Sequence, residues 1–125
     1  MNPEPTDTAE RSAALAETAR RLSEADLTRT RPDEIPALLN DLHTAVDALK
    51  HTTAKLSWWH SRAIRGSDYA PDEDANEAVE DAATQLLAAS RFLTAASNGT
   101  AAAVDTGKTI RWRRRGQQRS TSTGR

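Results

Sequence analysis

The stretch DEIPALLNDLHTAVDALKHTTAKLSWWHSRAIR, residues 33–65, decides the fold. Within it Ile35, Leu39, Leu42, Val46, Leu49, Thr53, Leu56, His60 and Ala63 stand alternately four and three apart over four heptads. A 3.5-residue repeat marks a helix that pairs along a seam. Leu38 widens the stripe at its start. Upstream, Thr30-Arg31-Pro32-Asp33-Glu34 reads as a cap, a proline in the first turn and acids at the positive helix end. Downstream, Gly66-Ser67-Asp68-Tyr69-Ala70-Pro71 is a turn. One helix over about 33–65 follows.

Working outward, Pro71-Asp72-Glu73-Asp74 starts another helix by the same logic, over about 71–106. Its seam reads Ala75, Val79, Ala82, Leu86, Ala89, Leu93, Ala96, Thr100 and Ala103. The alanines let two backbones approach closely. Asn98-Gly99 is a candidate break or kink, and Gly107 is the expected stop. Two long helices joined by a short turn predict an antiparallel hairpin. Before them, Leu15 and Leu22 with Ala19 between, and Glu17 paired with Arg21, predict a thin-striped helix over about 7–28 lying along the hairpin. The fold class is therefore all-α: an antiparallel bundle of three helices built on a long, coiled-coil-like hairpin over 7–108. Residues 1–6 and the basic tail, 109–125, are expected to be disordered.

Composition narrows the function classes. A chain of 125 residues has room for one domain, and Leu, Ile, Val and Phe supply only 18 of them. That excludes a large α/β enzyme or a β-sandwich, and the lack of cysteine excludes a disulfide scaffold. Arg outnumbers Lys 14 to 3 and Ala reaches 23, an actinobacterial-like bias of high-GC genomes. Met1–Asp7 carries acids where a signal peptide has bases, and no run approaches a membrane span, so the cytoplasm is expected. The net charge of −1 conceals an asymmetry. Residues 1–110 hold 11 bases against 18 acids, a balance of −7, whereas 111–125 hold six arginines and no acid. A basic arm on an acidic body points to a polyanionic partner or to self-association.

Several motifs resolve to ordinary helix features. Ala102-Ala103-Val104-Asp105-Thr106-Gly107-Lys108-Thr109 satisfies a relaxed phosphate-loop pattern, but an alanine-rich helix precedes it where a buried strand is required. Asp72-Glu73-Asp74-Ala75-Asn76 begins like a calcium loop, then has Glu77 where the turn needs Gly and Ala83 where a bidentate Glu is needed. His43, Asp47 and His51 are expected on the helix face away from the seam, too few for a metal, while His60 is expected on the seam as a satisfied histidine. No metal, cofactor, small-molecule substrate or catalytic residue is assigned, and no enzyme activity is expected.

Two segments carry the functional expectation. Arg111, Trp112, Arg113, Arg114, Arg115 and Arg119, with Gln117 and Gln118 among them, combine phosphate-neutralising guanidinium groups with a ring that stacks on an unpaired base. Trp58 and Trp59 are adjacent, 100° apart on a helix, so one narrow stripe cannot bury both. The bland account puts Trp59 beside the seam and Trp58 under the first helix or Tyr69. The functional account makes them anchors for a protein partner. The leading expectation is a non-enzymatic helical oligomer, a dimer because its core volume is low, whose tail binds DNA or RNA electrostatically without sequence specificity. The alternative is a protein-interaction or secretion-substrate-like module using Trp58 and Trp59. A helical hairpin of this size with Trp near its turn slightly resembles the small WXG-type secreted proteins. It departs from them in having His60-Ser61 after Trp59 rather than x-Gly, and Tyr69-x-x-x-Glu73 before a helix instead of after the hairpin.

Overall fold

The computed structural model describes residues 6–63 and 73–111. The chain divides between Arg31 and Pro32 into two units. The expectations for residues 1–5, for the turn at 66–71 and for 112–125 lie outside the described residues. Every regular element among the described residues is helical, and no strand occurs.

In the first unit, α1 spans Asp7–Ser23. Thr6 caps it, its side chain accepting from the Ala9 amide at 3.1 Å. The expected Glu17–Arg21 pair forms at 3.0 Å, and Arg20 joins it, reaching Glu17 at 2.7 Å and Glu24 at 2.8 Å. These guanidinium groups, Arg20 first and Arg21 second, hold the Glu17 carboxyl below its ordinary range. The helix expected to reach Thr28 stops at Ser23. Asp26 takes the Thr28 amide at 3.0 Å and its hydroxyl at 2.6 Å, so the chain turns into a short 3-10 segment, Leu27–Arg29. α1 holds no buried residue.

In the second unit a 3-10 turn, Pro32–Glu34, leads into α2, Ile35–Ala63, and α3 runs from Glu73 to Gly107. The two pack antiparallel along most of their length. α3 passes through Asn98-Gly99 without a break, against the expectation of a kink there. Gly107 ends it with no left-handed residue. The amides of Lys108, Thr109 and Ile110 instead reach the carbonyls three residues back, tightening the last turn.

On each helix one of the two rows of the expected seam faces inward as expected and the other is displaced by one residue. On α2 the inward rows are Leu39, Val46, Thr53 and His60 with His43, Lys50 and Ser57; Leu42 and Leu56 of the expected seam are exposed. On α3 they are Val79, Leu86, Leu93 and Thr100 with Ala83, Ser90, Ser97 and Val104; Ala96 and Ala103 are exposed. Polar groups zip the seam. Ser57 donates to the Ala83 carbonyl at 2.7 Å, Ser90 to the Lys50 carbonyl at 3.3 Å and Ser97 to Asp47 Oδ1 at 3.0 Å. His43 Nδ1 lies 2.9 Å from Thr100 Oγ1. The Thr100 hydroxyl is already committed to the carbonyls of Ala96 and Ser97, which leaves its oxygen to accept from the imidazole. No buried side-chain nitrogen or oxygen among the described residues lacks a partner. The apolar core among them is correspondingly slight: Ala63 and Ala83 are its buried members.

Candidate interaction face

Helix geometry sorts the residues flanking this seam. Both helices are right-handed and run in opposite directions, so the rows that precede the seam on each fall on one side of the hairpin and the rows that follow it on the other. The following side is polar and holds the Asp47–Ser97 and Lys50–Ser90 contacts. The preceding side presents Leu38, Leu42, Ala45, Leu49, Leu56 and Trp59 from α2, and Ala82, Ala89, Phe92, Ala96 and Gly99 from α3. Thr52, Gln85 and Thr106 are its polar members, and no charged residue falls on these rows. Phe92 is 76% exposed, and Leu42, Leu56 and Trp59 are exposed as well. Leaving a side chain such as Phe92 in water forgoes about 1.5–3 kcal/mol of burial.

The two tryptophans separate as their 100° spacing requires. Trp59 lies at the turn end of the apolar face, 49% exposed, its ring edge-on to His60 at 5.1 Å between centroids. Trp58 points elsewhere. It is 61% exposed, with the Arg62 guanidinium 5.0 Å over its ring. Tyr69, one of the two covers that the bland account gave it, lies outside the described residues.

The histidines correct another expectation. His43 and Asp47 belong to the seam or its edge, not to the far face. Asp47 pairs with Lys50 at 3.1 Å and accepts from Ser97, and these two partners, Lys50 first, hold its carboxyl below the ordinary range. His51 stays outside, 3.8 Å from Asp47. His60 Nδ1 donates to the Leu56 carbonyl at 2.7 Å. Among the described residues no group of three histidine or carboxylate side chains is placed to hold a metal. Ala102–Gly107 is the last turn of α3, with Lys108 and Thr109 in the turn beyond. It therefore presents a helix C-terminus, the wrong polarity for phosphate.

At the open end of the hairpin, Ile35, Pro36 and Leu39 face Ala103, Val104 and Ile110 across an apolar cleft of about 680 Å³. Sequence reasoning did not single it out, because its two walls are 70 residues apart in the chain. Arg111 follows directly and is exposed; Trp112, Arg113, Arg114, Arg115 and Arg119 lie outside the described residues. No helix among the described residues is long and apolar enough to cross a membrane. No protein-family model matches the chain, and no curated protein or solved structure matches it.

Proposed function

We propose that the chain is a non-enzymatic helical oligomer whose hairpin carries an Arg-rich tail that holds nucleic acid by charge and stacking. The observation that carries this reading is the segregation of its surfaces. The hairpin has a face without charge, suited to self-association. Its long second helix runs without interruption to Gly107, and Arg111, the first arginine of the tail, stands exposed four positions later. The remaining bases of the tail and the absence of acids there are features of the sequence. Such a tail releases counterions from phosphates and gives affinity without base reading.

The test is fluorescence anisotropy with labelled single- and double-stranded oligonucleotides, comparing the native chain with one in which Arg111, Arg113, Arg114, Arg115 and Arg119 are all changed to Gln. Native protein should bind with affinity that falls steeply with salt, to a slope no steeper than about −5 per tail on duplex DNA. The substituted chain should lose that binding. Equal binding by both, or none by the native chain at low salt, sinks the nucleic-acid reading.

A second reading, a protein-interaction or secretion-substrate-like module, is favoured by the exposure of Trp58 under Arg62 and of Trp59. Exposed aromatic anchors of this kind dominate protein interfaces.

A further inference from the structure

We propose that the apolar face of the α2–α3 hairpin seats a second copy of the same chain, packed about a two-fold axis parallel to the helices, with α2 of each copy lying on α3 of the other. This rests on the oligomeric part of the function proposed above and not on its nucleic-acid part. Four observations converge on it.

The area fits. α2 has 29 residues, hence about 44 Å of length, and two helices 8–10 Å apart present a face about 18 Å wide. That is roughly 800 Å² per copy, what a stable interface of ordinary size buries on each side. The chemistry fits too, since the face is free of charge and no ion would be stripped of water on docking.

The shape is self-complementary. Contacts across the hairpin set its levels: Ser57 is level with Ala83, Lys50 with Ser90 and His43 with Thr100. A two-fold parallel to the helices preserves those levels. It brings Phe92 of one copy against the small Ala45 and Thr52 rows of the other, and Trp59 against Ala78 and Ala82. Leu38 and Leu42 arrive at Gly99. Large meets small at most levels, Gln85 beside Leu56 and Trp59 being the exception, and every neighbouring pair of helices is antiparallel.

Gly99 supplies the independent observation. It sits inside a continuous 35-residue helix, where glycine weakens the element, and a Cβ built on it meets nothing within 4 Å. Nothing inside the hairpin calls for a glycine there; the close approach of a helix from outside does.

The symmetry has a functional consequence. Both α3 C-termini emerge at the same end, about 13 Å apart across the diagonal of a four-helix square. A two-fold perpendicular to the helices would set them about 45 Å apart instead.

The experiment uses the full chain. Sedimentation equilibrium should give twice 13.6 kDa at micromolar concentration. Phe92→Glu and Gly99→Leu should each yield a monomer of unchanged helicity. Leu87→Glu, at an exposed leucine on the other side of the hairpin, should remain a dimer. Because the chain has no cysteine, Lys108→Cys accepts a single spin label, and the label-to-label distance should fall below about 25 Å, where a perpendicular axis predicts more than about 40 Å. A native chain that stays monomeric overturns this proposal and the oligomeric reading together. If Leu15→Glu then lowers Tm as much as Phe92→Glu does, the face belongs to α1 of the same chain. A dimer indifferent to Phe92→Glu, with Gly99→Leu raising Tm as it would on a free helix, overturns the face while leaving the oligomer. A long spin-label distance overturns the symmetry.

Discussion

Ser57, Ser90 and Ser97 occupy seam positions where a two-helix pair gains most from alanine or leucine, and each buries its hydroxyl beside a partner on the other helix. A satisfied hydroxyl contributes about 0.5–1.5 kcal/mol, less than a buried aliphatic group, so these residues fix alignment more than they add stability. Ser97 is the sharpest case, because its acceptor is a carboxylate. Ser97→Ala should cost about 1 kcal/mol in denaturant melts at neutral pH. Asp47 adds a pH signature. Its folded pKa is depressed, chiefly by Lys50 and then by Ser97. Its contribution is therefore complete above the unfolded value near ~3.9 and is lost as pH falls through the folded one. Thermal melts of native chain and Asp47→Asn should differ by a constant margin from pH 7 down to about 5, then converge below about 4. A margin that persists at pH 2 would refute the assignment.

At the scale of the element, the long helices were legible and their facing was not. The four-and-three spacing from Ile35 to Ala63 specifies a helix with a stripe, and the bounds of α2 and α3 follow from prolines, acids and Gly107. Facing is a finer matter. The Leu42, Leu49, Leu56 row and the His43, Lys50, Ser57 row flank the same Leu39, Val46, Thr53 row, each only about 50° from it on a 3.5-residue repeat. Hydropathy picks the leucines, and the hairpin turns in the polar row. The leucine row with Ala82, Ala89 and Ala96 points instead toward the axis of the four-helix arrangement proposed above. The apolar pattern then describes the core of an assembly, which one chain read alone cannot show. Asn98-Gly99 misled for a related reason, since glycine lowers helix propensity by about 1 kcal/mol without forcing a break inside 35 residues. α1 is the contrasting element. Its cap at Thr6 and its Glu17–Arg20–Arg21 cluster are local, it buries nothing, and 17 residues are near the limit for an isolated helix. Amide exchange should be fastest in α1 and slowest around 46–57 and 83–97. Thr6→Ala should speed exchange in α1 alone, through loss of a cap worth about 1 kcal/mol.

For the whole molecule, the separation of charge from apolar surface would make the proposed assembly and the proposed binding parts of one mechanism. Within α2 and α3 the described acids and bases lie off the apolar face, and the six arginines of 111–125 follow the end of α3. If two copies meet with their helices side by side, twelve arginines converge at one end and a single nucleic-acid segment meets two tails. The second tail then binds at an effective concentration set by a short span rather than by the bulk. Counterion release scales with the phosphates neutralised, so log affinity against log salt on duplex DNA should steepen toward about −10 for the dimer. Phe92→Glu, which leaves every arginine in place, should return the slope to about −5 and lower affinity at a fixed salt concentration. A variant that is monomeric by sedimentation yet binds with the native slope would show that the tails act singly. The dimer would then serve to complete the core, and the common end of the two α3 helices would have no part in holding nucleic acid.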